Sequence, residues 1–309
     1  MKQIALVLSG GSIKGAFQAG AIKTILDNDY IPSSIHGISI GSLNGAFLAN
    51  KAGQDGNSKL LWKKYAQDLQ DFWFEKVTSF SAIGKERSKF SIFWDVIRGK
   101  YKSLIKTEKL QRLIRELFDE ESLKACPIPF YAGTVNISTG ELVSATSKSH
   151  PNNFIDYIIA STAIPVVMPI SNISGQPLLD GGLRDVTPLK NAIDSGAEQI
   201  ICVLCQPSKL DDVRFNTGNL LLLMNRLMEI IVNETVNNDV ARAERINDQI
   251  SARFPTTKVD PQTGHRIIDI KVIRPKHSLD IELTDFDEND IKRIFAKGQK
   301  RAKVVLDLA

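Results

Sequence analysis

The chain has 309 residues, 43% of them hydrophobic and 24% charged, with a net charge of +4. This is an ordinary globular composition, long enough to bury a sizeable core in one domain over 1–309. No dense Lys/Arg run with interleaved aromatics stands out, which argues against nucleic acid as a partner. No stretch approaches the ~18 apolar residues of a membrane span, and the apolar run at Ile4–Leu8 is too short for a signal-peptide core.

Taken in order, residues 3–9 read as a strand and 16–28 as an amphipathic helix. Between them lies Ser9-Gly10-Gly11-Ser12-Ile13-Lys14-Gly15, a glycine-rich turn. Ser34–Ile38 reads as a second strand and 42–51 as a helix rich in small residues, with Gly53 just past its end. Residues 71–105 are dense in aromatics: Phe72, Trp73, Phe74, Phe80, Phe90, Phe93, Trp94 and Tyr101. Residues 129–136 and 141–146 form a strand pair around a hairpin-type connection, and 155–163 form a helix stopped by Pro165. Leu178 and Leu179 lead into the turn Asp180-Gly181-Gly182. A short helix at 189–195 ends at Gly196, and 199–205 is an apolar strand. The rest reads as a long helix over 219–250, a strand over 266–273 and a last helix over 287–308. Alternating strands and helices predict an α/β fold, a mainly parallel central sheet with helices on both faces.

The most specific local pattern is Gly37-Ile38-Ser39-Ile40-Gly41 between a strand and a helix. This G-x-S-x-G form is a nucleophile elbow: the glycines permit a sharp turn that lifts the serine Oγ clear of the sheet. Gly10 and Gly11 predict amides gathered at a helix start, where they stabilise a tetrahedral oxyanion. A serine, a loop of free amides and an acid at a turn are the parts of a serine acyl hydrolase. Four histidines compete for the role of base: His36, His150, His265 and His277. His36 is three residues before Ser39 but inside the strand, which assigns it to packing; His150 and His277 read as loop residues, and none of the four sits in a turn context that recommends it as the base. Ser161 lacks flanking glycines and reads as structural. Cys126, Cys202 and Cys205 are sparse and odd in number, which suits a reducing cytoplasm, and Cys202 and Cys205 read as packed residues. No paired ligands at zinc spacing and no calcium loop occur, so neither metal nor cofactor is expected.

Four blocks together resemble the patatin-like phospholipases. They are the segment Ser9 to Gly15, the elbow Gly37 to Gly45, Ala160-Ser161-Thr162-Ala163-Ile164-Pro165, and Asp180-Gly181-Gly182 followed by Pro188. The resemblance implies a three-layer patatin-type fold and a Ser39–Asp180 dyad, with Asp180 as general base. It implies an oxyanion hole at Gly10, Gly11 and Ser12, framed by Lys14, Gly15, Gly37, Gly41, Gly181 and Gly182. Ser12 stands where a third glycine is usual, so a serine must take the same backbone angles there. Ile38 and Ile40 flank the nucleophile where smaller residues are common, and are expected to narrow the site. Lys14 is expected either to contact a phosphate head group or to be a solvated helix-start charge. The expected substrate is a phospholipid or lysophospholipid ester, met at a membrane surface or taken as monomeric lysolipid from water. The aromatics of 71–105 read either as a packed sub-core or as a lid or surface anchor, with Phe72-Trp73-Phe74 and Phe93-Trp94 the candidates for such a contact. An acyl transferase of related architecture and a non-catalytic lipid-binding module are the competing readings.

Overall fold

The computed structural model describes residues 2–212 and 220–308, the side chains at 89, 220–222, 224 and 225 apart. β1 (Ile4–Leu8) leads through the glycine-rich turn into α1 (Gly15–Asp27), and β2 (Ser34–Ile38) leads into α2 (Ile40–Asp55). After α3 (Lys59–Glu75) comes an excursion made of α4 (Phe80–Ile83), β3 (Lys85–Glu86), α5 (Lys89–Ile97) and β4 (Ile105–Lys106). α6 (Glu108–Leu117) and α7 (Glu120–Ala125) return the chain to β5 (Phe130–Asn136) and β6 (Glu141–Ala145). α8 (Phe154–Ser161), β7 (Ser171–Ile173), β8 (Gln176–Asp180), α9 (Leu189–Asp194) and β9 (Gln199–Val203) follow. The last elements are α10 (Leu220–Arg253), β10 (Asp269–Ile273) and α11 (Glu288–Val305).

The sheet runs β10-β9-β1-β2-β5-β8-β7, with β6 also paired to β5. The strands β10, β9, β1, β2 and β5 are parallel neighbours, whereas β6, β7 and β8 join antiparallel. The sheet is therefore mainly parallel, as the alternation of elements implies. Strand alternation sends successive side chains to opposite faces. Leu6, Leu8, Ile35 and Val203 pack with α1, α2 and α11, while Ala5, Val7, Ile200 and Cys202 pack under α9 and α10.

Two details of β5 place the site. Ala132 and Gly133 pair with β2 and β6 at once, and residues 134–136 pair with β8 and β6 at once. It follows that β2 and β8 lie end to end along one edge of β5. Ile38, the last residue of β2, is opposite Gly133, and Asp180, the last of β8, is opposite Thr134. The two strands run in opposite directions, so their C-terminal ends converge. Local pattern reading does not reach this arrangement, because Leu178 and Leu179 alone do not announce an antiparallel strand.

The aromatic segment divides. Phe72 and Trp73 belong to α3 and are buried, so the expected membrane contact at Phe72-Trp73-Phe74 is corrected: Phe74 packs on Phe295 at 5.1 Å between ring centroids. Cys202 is within β9, whereas Cys205 lies beyond the strand and against Gly11. The long helix opens with Leu220-Leu221-Leu222-Leu223-Met224, a run that reads from sequence as core packing rather than an acyl-chain tunnel; of these only Leu223 has a described side chain, and the others lie outside the described residues. Among the described residues, no helix is long and apolar enough to cross a membrane.

Candidate active site

β2 is buried along its whole length, and the chain reverses at Ser39, whose φ of 56° and ψ of −125° are unfavourable for a side-chain-bearing residue. Such angles cost about 1–3 kcal/mol and persist only where the surroundings enforce them. Gly37 and Gly41 do not take positive φ themselves. They are required for close approach: a Cβ at Gly37 would lie 2.5 Å from the Gly41 carbonyl oxygen, and one at Gly41 would lie 2.2 Å from that of Leu8. The strain therefore resides in the serine and the clearance in the glycines.

Ser161 enforces the turn. It is fully buried, its Oγ donates to the Gly133 carbonyl at 2.6 Å, and it accepts the Ser39 N–H at 2.9 Å. Its single proton is thus committed, so the Ser42 hydroxyl, 2.8 Å away, donates to it. A serine with every hydrogen-bonding position engaged is a brace.

Asp180 meets this turn from β8. Its carboxylate accepts the Gly182 N–H at 2.8 Å, and its own N–H donates to the Ala163 carbonyl. Gly181 has no room for a side chain, since a Cβ would lie 2.6 Å from the Gly133 carbonyl oxygen. Burial raises the Asp180 pKa from the ordinary carboxylate range to about 6, and hydrogen bonding from the Ser39 hydroxyl and the Gly182 N–H pulls it partly back. Ser39 and Asp180 are thus neighbours.

His36 is elsewhere. Its ring stacks on Tyr131 at 4.6 Å and bonds Asn191 through Nδ1 and Ser34 through Nε2. Burial lowers its pKa to about 4, and its surroundings include neither Ser39 nor Asp180.

The glycine-rich turn differs from expectation at one amide. The Gly10 N–H donates to the Val186 carbonyl at 3.1 Å and is not free, a correction to its expected place in a donor set. Gly10 still packs on the nucleophile, where an added Cβ would be 3.4 Å from the Ser39 Cβ. The N–H groups of Gly11, Ser12 and Ile40 have no acceptor among the described residues. Ser12 takes the left-handed region, with φ of 53°, as its glycine-like position requires. Lys14 pairs with Glu229 on α10 at 3.2 Å.

A narrow cavity of about 60 Å³ opens beside Ser39 and Ser12. Its walls are apolar, among them Leu43, Phe72, Trp73, Leu113, Met168 and Leu283. Ile40 lines it. Ile38 does not, because its side chain fills the space over Gly133.

A family model described as "Patatin-like phospholipase" matches residues 6–193, more than half of the chain. The chain belongs to the patatin-like phospholipase family. Lysophospholipase NTE1 of Scheffersomyces stipitis is 28% identical over 205 residues, 65% of this chain and 11% of its own length. Uncharacterized protein YjjU of Escherichia coli is 26% identical over 216 residues, 67% of this chain and 53% of its own. This chain thus spans between a tenth and about half of those relatives. The crystal structure of VipD from Legionella pneumophila aligns over 99% of this chain and 67% of its own, at 13% identity and a TM-score of 0.46, a likeness too weak to bear on chemistry.

This patatin-like site also uses Asn44 and Gln18, to which sequence reasoning gave no role. Trp73 Nε1 donates to Asn44 Oδ1 at 2.9 Å, and Asn44 Nδ2 donates to the Gly15 carbonyl and to Gln18 Oε1, both at 3.1 Å. Gln18 Nε2 donates in turn to the Ser9 carbonyl at 2.7 Å. The chain of amides ties α3, α2 and α1 to the end of β1 and sets the glycine-rich turn against the elbow. The signal was available, since Asn44 and Gln18 are amides on otherwise small or apolar helix faces, where a buried amide must find partners.

Proposed function

We propose that this chain hydrolyses acyl esters of phospholipids or lysophospholipids, with Ser39 as nucleophile and Asp180 as general base. The observation that carries the reading is a strained, buried serine beside a desolvated carboxylate at the mouth of an apolar cavity. A pKa of about 6 leaves Asp180 largely ionised at neutral pH yet basic enough to take a proton.

Ser39 Oγ attacks the ester carbonyl carbon as its proton passes to Asp180. The oxyanion is stabilised by the N–H groups of Gly11 and Ser12, with that of Ile40, the residue after the nucleophile, as a third donor. Collapse breaks the ester C–O bond. The leaving alcohol takes the proton from Asp180, and the acyl group remains on Ser39. Water then gives a proton to Asp180 and attacks the acyl-enzyme, and the carboxylic acid leaves as Ser39 regains its proton. The acyl chain occupies the apolar slot between Trp73, Leu113 and Met168. None of these steps calls on a metal, so turnover is expected to survive a chelator.

Active-site titration is the test. A fluorophosphonate should label Ser39, and Ser39→Ala should lose both labelling and hydrolysis of lysophosphatidylcholine. Labelling at another residue, or lipid turnover by Ser39→Ala, would overturn the reading. Release of the acyl group only to an added thiol carrier would make the chain a transferase instead.

A further inference from the structure

Exposed apolar side chains concentrate on α5. Phe90, Phe93, Trp94, Val96 and Ile97 all face solvent, Phe90 at 72% and Ile97 at 58% exposure. Phe90, Phe93, Trp94 and Ile97 recur at helical spacing and form one stripe. The rings of Phe90 and Phe93 meet Trp94 edge-on at 6.0 and 5.9 Å, so the stripe is a continuous surface. A patch of this kind on an outlying helix marks a place of contact.

Charge concentrates there as well. Residues 80–109 hold eight Lys and Arg against three Asp and Glu, a net +5, while the whole chain carries +4. The positive charge of the molecule thus belongs to this excursion. Asp95 within it is neutralised by Arg87 at 2.5 Å, and the Arg98 guanidinium stands over the Trp94 ring at 5.4 Å.

The excursion is attached to the cavity. Its neck is the β3–β4 pair, braced by Arg87 to the Ser103 carbonyl at 2.9 Å. Ile83, two residues before the neck, lines the cavity beside Ser39. On the far side, the Leu104 and Ile105 N–H groups donate to the Val167 carbonyl, and the Tyr101 hydroxyl donates to that of Val166. Val166 is exposed, and Ile164 and Met168 on the same segment line the cavity. The segments on either side of α5 are therefore tied to the rim of the cavity, through Ile83 on one side and through Tyr101, Leu104 and Ile105 on the other.

We propose that α5 is an interfacial helix that seats this chain on an anionic bilayer with the cavity rim toward the lipid. Phe90, Phe93, Trp94 and Ile97 enter the boundary between head groups and acyl chains, and Arg98, Lys100 and Lys102 meet the lipid phosphates. Aliphatic Val96 and Ile97 have no favourable contact with a nucleic-acid backbone, and a flanking net +5 selects an anionic surface. The inference rests on the proposed lipid substrate for its purpose, but binding itself requires no turnover.

The test uses the full chain carrying Ser39→Ala, so that vesicles are not consumed. Of the three tryptophans, Trp62 and Trp73 are buried and Trp94 is exposed, so a change in emission on binding reports on α5. The chain should float with vesicles of phosphatidylcholine and phosphatidylserine, and less with phosphatidylcholine alone. Trp94 emission should shift to the blue and be quenched by brominated lipid. Phe93→Ser with Ile97→Ser should weaken partitioning at least ~tenfold, from the lost apolar burial. Arg98→Glu with Lys100→Glu and Lys102→Glu should abolish the preference for phosphatidylserine. Both variants change exposed side chains and should keep the parent melting temperature. Absence of flotation, unchanged emission on binding, or variants that partition like the parent would each overturn the proposal. Hydrolysis of p-nitrophenyl butyrate by the chain with its native Ser39, measured in parallel, tests the proposed chemistry separately from docking.

Discussion

Phe72-Trp73 and Phe93-Trp94 are the same pair of residues placed on two helices, with opposite fates. Trp73 is buried, its indole N–H held by Asn44 in a chain of amides reaching the glycine-rich turn. Trp94 is exposed beside Arg98, on a nine-residue helix joined to the body by a two-strand neck. What separates them is whether a polar partner and a second packed layer await the ring. α3 packs on both α1 and α2 and has both, whereas among the described residues the Trp94 indole N–H has no hydrogen-bond acceptor and only the Arg98 guanidinium covers its ring. Composition alone does not distinguish a cavity wall from a contact surface.

The largest effects are expected at the nucleophile and its base. Ser39→Ala should lower kcat by roughly 10⁴-fold or more and Asp180→Asn by at least ~10²-fold, both read on p-nitrophenyl butyrate. Neither substitution should change vesicle partitioning, which belongs to α5.

Next comes stability at the two tryptophans. Trp73→Ala should cost about 3–5 kcal/mol in chemical denaturation and depress turnover of water-borne and vesicle-borne substrates together. Trp94→Ala should alter stability by no more than about 0.5 kcal/mol. Equal losses at both positions would break the contrast between buried and exposed pairs.

The third effect is pH-dependent. The folded-state pKa of Asp180 is raised from 3.8 to about 6 by burial, so its ionisation opposes folding. The associated stability is present in full below about pH 4 and is lost as pH rises to about 6. A shift of this size corresponds to about 3 kcal/mol. Asp180→Asn should therefore be more stable than the parent at pH 7–8 by up to that amount while being inactive. In the parent, kcat/KM should rise with pH through about 6 as the base ionises. A variant neither stabilised nor inactivated would remove Asp180 from the base role.

The smallest effect expected at the elbow is that of its brace. Ser161→Ala leaves the Ser39 N–H and the Gly133 carbonyl without their partner, at a cost of about 1–3 kcal/mol. Turnover should fall through a relaxed Ser39, whereas Ser161→Thr, which restores the hydroxyl, should recover part of it.

Much of this was legible in the sequence. Gly37 to Gly41 specify a turn whose backbone has no room for side chains at either end, and the alternation of apolar runs with helical patterns specifies a layered sheet. Asp180-Gly181-Gly182 marks a carboxylate followed by a tight turn. These signals are local: each concerns steric clearance or side-chain period within a few residues. The meeting of Ser39 with Asp180 is not local. It depends on β2 and β8 sharing one edge of β5, with Gly133 as the junction, and strand partners are chosen by the whole sheet. The same holds for the Gly10 amide, taken by the Val186 carbonyl, and for Ser161, which a local reading sees only as a serine near a proline. Local sequence set which backbone shapes were permitted, and packing of distant segments decided which polar groups were left free to react, because a hydrogen-bonding group is committed only when its partner arrives.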